Sequence, residues 1–110
     1  MELRRLSRDE ENLLEVLVTR ANITNLPIDW KTNLFVHPMD NGGMGSLRLF
    51  PNCLSNDNRT FGKRVSEYQF FDEDGVAVIV SLNLDSSGDL FELDIWKTDF
   101  SALIRIPEKL

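Results

Sequence analysis

The sequence predicts an α+β domain: an N-terminal helix packed on an antiparallel meander sheet of about five strands. Three observations carry the prediction. Apolar residues recur at three- and four-residue spacing near the N-terminus, the spacing changes to two from residue 34 onward, and the two-period segments are separated by short turns rich in Gly, Asp and Asn. At 110 residues the chain reads as one domain, 1–110. A core of this size hides roughly two-thirds of the unfolded surface and needs no covalent staples.

The helix comes first. Ser7-Arg8-Asp9-Glu10 has the Ser-x-x-Glu spacing of a capping box, in which the serine oxygen and the Glu10 carboxylate satisfy each other's free backbone amides. Leu13, Leu14, Leu17, Val18 and Ala21 then form one apolar stripe, so a helix is expected over about 8–21. Asp9, Glu10 and Glu11 sit in the first turn, where the helix dipole favours anions. Residues 22–33 read as a loop, with Leu26, Ile28 and Trp30 pinned on the core.

Strands follow. Leu34 to His37 and Ser46 to Phe50 flank Pro38-Met39-Asp40-Asn41-Gly42-Gly43, and Asn-Gly between apolar runs is a strong hairpin signal because both central residues need positive φ. Pro51 to Thr60 is a polar loop holding Cys53. Val65 to Phe71 and Val76 to Leu84 flank a second turn, Asp72-Glu73-Asp74-Gly75, and Leu90 to Lys97 follows a third turn at Asp85-Ser86-Ser87-Gly88-Asp89. On the middle strand Val76, Val78, Val80, Leu82 and Leu84 share one face, with Ala77, Ile79, Ser81 and Asn83 on the other. Asp99-Phe100-Ser101 ends the last strand, and Ile104, Ile106 and Pro107 tuck the tail onto the domain.

Composition narrows the function classes. No apolar run approaches the ~18 residues a membrane span requires, and the charged start Met-Glu-Leu-Arg-Arg-Leu-Ser-Arg lacks a secretory apolar region. Cys53 is the only cysteine, so neither an internal disulfide nor a cysteine metal cluster can form. A cytoplasmic protein without a cofactor is expected. The net charge is −6, but residues 1–64 hold nine Lys/Arg against eight Asp/Glu, whereas residues 65–110 hold three against ten. That sign is wrong for neutralising phosphates, so direct nucleic-acid binding is not expected. A surplus of negative charge in the second half favours a basic partner through complementary potentials, and serves solubility in any case.

The stretch Phe91-Glu92-Leu93-Asp94-Ile95-Trp96 has period two. Phe91, Leu93 and Ile95 are assigned to the helix-covered core, and Glu92, Asp94 and Trp96 to the second face. Two carboxylates beside an indole can form an acid/base pair, or can be a half-solvated strand face paired with Lys97 or a neighbouring arginine. No nucleophile, histidine or metal signature accompanies them, so a binding role fits better. Asp72-Glu73-Asp74-Gly75 lacks the fifth-position ligand and sixth-position glycine of a calcium loop and reads as a turn. In Asn41-Gly42-Gly43-Met44-Gly45-Ser46 no P-loop lysine follows; Gly42 and Gly43 read as turn residues and Gly45 as room for a bulge or close backbone packing. His37, the only histidine, has no partner at catalytic spacing.

The Leu-Arg-Arg-Leu-Ser start, the Asp-Asn-Gly-Gly-Met-Gly-Ser-Leu turn, the Asp-Glu-Asp-Gly-Val hairpin and the Phe91–Leu103 stretch together resemble a family of small uncharacterised bacterial domains. The similarity spans residues 3–107, with "GGMGSL" and "LDIWKTDFS" as its most specific parts. It carries over no catalytic residue. In size, sign of charge and lack of an active-site constellation the chain is also similar in character to immunity proteins of polymorphic or contact-dependent growth inhibition toxins. That resemblance implies a non-enzymatic protein that neutralises a basic toxin, such as a nuclease effector, by occlusion. The partner-binding residues expected are Asp72, Glu73, Asp74, Asp85, Asp89, Glu92 and Asp94, with Trp96 as the apolar anchor. The alternative is a small-molecule or regulatory binding module that uses the glycine turn at 41–46 and the Trp96 face; a concave pocket lined by Trp30, His37 and Trp96 would favour it.

Overall fold

The computed structural model describes residues 2–52, 54 and 58–110; Cys53, expected in the 51–60 loop, lies outside the described residues. In chain order the elements are β1 (Arg4–Arg5), α1 (Arg8–Arg20), β2 (Leu34–Pro38), β3 (Leu47–Pro51), β4 (Phe61–Phe71), β5 (Ala77–Asp85) and β6 (Leu90–Lys97). Among the described residues, one helix therefore lies on a single six-stranded antiparallel sheet, ordered β1-β2-β3-β6-β5-β4.

Local chemistry sets the helix. Ser7 Oγ accepts from the Glu10 amide at 3.2 Å and the Glu10 carboxylate accepts from the Ser7 amide at 2.8 Å, so the capping box forms as the spacing predicts. Glu10 also pairs with Arg4 of β1 at 2.7 Å, joining the helix start to the short edge strand. Leu13, Leu14, Leu17 and Val18 are buried against Leu34, Val36, Leu47, Leu49, Phe70, Val78, Val80, Leu82, Leu84, Leu90, Leu93 and Ile95. Ser66, facing the helix from β4, donates to the Leu17 carbonyl at 2.8 Å.

Strand count and connectivity correct the expected five-stranded meander. A two-residue β1 pairs with β2, a length too short for periodicity to reveal. Two three-stranded antiparallel units, β1–β3 with α1 inserted after β1 and the β4–β6 meander, join through β3 and β6, so β3 connects to the far edge strand rather than to its neighbour. The β3–β6 ladder has only the Leu47↔Leu93 and Arg48↔Glu92 pairs. Buried Ser46 extends it with its side chain: Oγ accepts the Ile95 amide at 2.8 Å and donates to the Ile95 carbonyl at 3.2 Å. The β2–β3 connection is longer than a two-residue Asn-Gly turn. Gly42, Gly43 and Gly45 carry its positive φ angles, and Gly45 lies where an added Cβ would touch Ile95 and Leu103.

Three core assignments change. Ile28 is fully exposed, although Leu26 and Trp30 do pack on the core. Phe91 is buried but outside the helix-covered cluster, because a register shift between Asn83 and Leu84 puts Leu90 opposite Leu84 instead. Ile104 is exposed, and Leu103 and Ile106 pack in its place. Among the described residues no helix is long and apolar enough to cross a membrane.

Candidate functional site

Residues directly opposite in an antiparallel pair present their side chains on the same face. The register therefore builds the sheet face opposite α1 row by row. One row runs His37, Arg48, Glu92, Asn83, Arg64 across β2, β3, β6, β5 and β4. The next runs Asp94, Ser81, Glu67, and the next Trp96, Ile79, Gln69, ending toward Ala77 and Phe71. Glu92, Asp94 and Trp96 thus share the second face, as their alternation predicts, and among the described residues no helix covers it.

The eight residues expected to bind a partner do not form one patch. Those in the two turns lie at opposite ends of β5. Asp72 is not at the surface: it is 4% exposed and belongs to the fold. It accepts from buried Lys97 Nζ at 2.9 Å and from the amides of Glu73, Ile104 and Arg105 at 2.8, 2.8 and 3.2 Å. Burial pushes its carboxyl upward, but the Ile104 amide, Lys97 and the other two amides outweigh this and hold it at about 2. Asp74 also takes Lys97, at 2.6 Å, and Glu73 lies 3.6 Å from Arg105.

Asp85 is likewise buried, at 5% exposure. It accepts from Arg59 Nε at 2.7 Å and from the Ser87 and Asp89 amides. Arg59 also donates to the carbonyls of Leu49 and Leu90 and lies over the Phe91 ring, so it fastens β3, β5 and β6 together. Asp72 and Asp85 read as surface acids in the sequence because both sit in polar turns. Asp89 remains exposed, but at the Asp85 end.

Glu92 and Asp94 are half-buried on β6, and Trp96 is 44% exposed. Asn83 donates to Asp94 at 2.8 Å, while its own Oδ1, buried, has no donor among the described residues. Burial and the Asp94 carboxylate push Glu92 above the usual carboxylate range, against the opposing pull of Arg48 and Asn83. Lys97 takes no part, because period two turns it to the opposite face.

Sequence reasoning missed two aromatic members of this surface. Phe100 is 71% exposed, with its ring centroid 6.0 Å from that of Trp96, and Phe71 is 62% exposed. Asp99 is exposed and Ser101 holds it below the usual carboxylate range through its hydroxyl and amide. Phe100 has φ 64, a left-handed conformation unfavourable for a bulky residue. The turn is closed by its amide donating to the Lys97 carbonyl at 2.8 Å. The Lys-Thr-Asp-Phe-Ser run did mark a strand end, but only the fold shows that it returns Phe100 to Trp96. The exposed aromatics Trp96 and Phe100, with Asp94 on the same strand face, form the candidate site.

Other motifs have structural roles or lie apart. Asp72–Gly75 is the β4–β5 turn, closed by Gly75 amide to Asp72 carbonyl at 2.9 Å. His37 Nδ1 lies 2.8 Å from the Glu2 carbonyl. Trp30 lines a cavity of about 250 Å³ with Leu26, Asn33 and Asp89, His37 borders a separate hollow with Glu2 and Leu3, and Trp96 is on the sheet face; the three do not share a pocket. Among the described residues no group of three or more His, Cys, Asp or Glu is placed to hold a metal.

A family model described as a domain of unknown function (DUF6984) matches residues 3–107. No curated protein and no solved structure matches the chain.

Proposed function

The chain belongs to the DUF6984 family of domains of unknown function, and we propose that this member is an immunity protein that neutralises a basic bacterial toxin by docking on it. The observation that carries the reading is an aromatic pair, Trp96 and Phe100, exposed on the sheet face opposite α1, with Asp94 on the same face of β6. Exposed aromatics next to one another are the residue types that anchor interfaces, and a charged rim sets partner choice and encounter rate. The acidic turns contribute less than the sequence suggested, since Asp72 and Asp85 are already paired within the domain. Inhibition by occlusion asks no chemistry of this chain: a face covering the toxin's cationic substrate-binding surface suffices.

The test is co-expression with the product of the adjacent upstream gene. A complex is expected that protects cells from that product and that is lost on the double charge reversal Glu92→Lys/Asp94→Lys. A complex and protection both insensitive to that reversal would remove this face from the account.

A further inference from the structure

The same face offers a seat for one kind of side chain. We propose that it binds an arginine of the partner, laid along β6 with its guanidinium over the Trp96 indole and its donors on Asp94. This inference rests on the docking reading above and names the group that the surface recognises.

Charge and shape select the occupant. Asp94 and Trp96 are two residues apart on one strand face, a separation of about 7 Å, which the length of an arginine side chain spans. A guanidinium has a planar face for the indole and a fork of donors for a carboxylate. Acceptors gather on this strand face: Glu92 and Asp94 lie two residues apart, and the Asn83 amide, 4% exposed and bonded to Asp94, has an Oδ1 without a donor among the described residues. A metal does not fit, because the described residues supply no three-ligand cluster. Arg48 and Arg64 lie in the Glu92 row, so the seat is centred on the Asp94–Trp96 end, where the row through Asp94 carries Glu67.

Phe100 completes the seat. Its positive φ holds the aromatic ring beside Trp96 at a conformational cost. That cost has a use if the ring is the side wall that limits Trp96 motion before the arginine arrives. Phe100 is then a positioning residue, and replacing it should separate binding from stability.

The experiment titrates the full, ¹⁵N-labelled chain with the pentapeptides Gly-Gly-Arg-Gly-Gly, Gly-Gly-Lys-Gly-Gly and Gly-Gly-Gln-Gly-Gly, following the Trp96 indole N–H. The arginine peptide should shift it saturably, the lysine peptide should bind at least fivefold more weakly, and the glutamine peptide should not bind. Asp94→Asn should weaken binding at least tenfold, whereas Asp89→Asn at the far end should leave it unchanged. Phe100→Gly should weaken it while leaving the urea midpoint unchanged or raised. Equal affinity for lysine and arginine, or wild-type binding in Asp94→Asn, would overturn the seat. The two readings fail separately. Loss of the toxin complex on charge reversal together with peptide binding indifferent to Asp94 rejects the arginine seat alone. A toxin complex that ignores the whole face rejects the docking reading.

Discussion

Replacing Asp72 with asparagine tests the reading that this acid belongs to the fold. The side chain keeps its shape but loses its charge. Among the described residues Lys97, 1% exposed, would then retain one carboxylate, Asp74, whose side chain is 38% exposed, and the Ala102 carbonyl at 3.2 Å. The new amide nitrogen would face either Lys97 and the Ile104 amide or the Glu73 and Arg105 amides, donor against donor. Breaking one member of a buried pair costs roughly 3–5 kcal/mol; with Asp74 still in place the lower end, about 3 kcal/mol, is expected at pH 7. Urea unfolding followed by tryptophan fluorescence measures it. Amide exchange at Ile104 and Arg105 should accelerate, because the tail loses its anchor.

Acid gives a second arm. The folded carboxyl, at about 2, lies below its ordinary value of 3.8. Its contribution is therefore complete above the unfolded value and lost as pH falls toward 2. By linkage roughly 1 kcal/mol disappears between pH 7 and pH 3 in the wild type, a loss that the asparagine variant cannot show. The gap between the two proteins should narrow by about that amount at pH 3. A deficit under ~1 kcal/mol at pH 7, or an equal deficit at both pH values, would mean that the Asp72 charge does not hold the tail and Lys97 in place.

Two further outcomes follow from individual contacts. Glu92 is pushed above the usual carboxylate range, so its protonated form favours the fold at low pH and that contribution is lost as pH rises through its folded value. Glu92→Gln should accordingly stabilise at pH 7, by no more than about 1 kcal/mol, with no difference below pH 4; urea midpoints at the two pH values check this. Gly62→Ala would place a Cβ 2.2 Å from the Asp85 carbonyl oxygen and 2.9 Å from the Ser86 nitrogen. Backbone cannot yield there cheaply, and calorimetry should show a loss of about 2–4 kcal/mol.

The amino-acid order by itself determined the capped helix, the two-residue alternation of β5 and β6 and the turns that separate them. These are local: a cap spans three residues, and a strand's period is visible within the strand. It also separated Glu92, Asp94 and Trp96 from Leu93 and Ile95. Tertiary structure decided what those local features face. It paired β3 with β6, exchanged Leu90 for Phe91 in the core through one register shift, and left Ile28 in water. Above all it decided the fate of the carboxylates. Asp72 and Asp99 look alike as turn acids, yet Lys97 crosses from β6 to bury the first while the second stays exposed beside Phe100. Charge counted along a chain is conserved on folding, but its position relative to an opposite charge is set by which distant strands meet, and no local pattern encodes that distance.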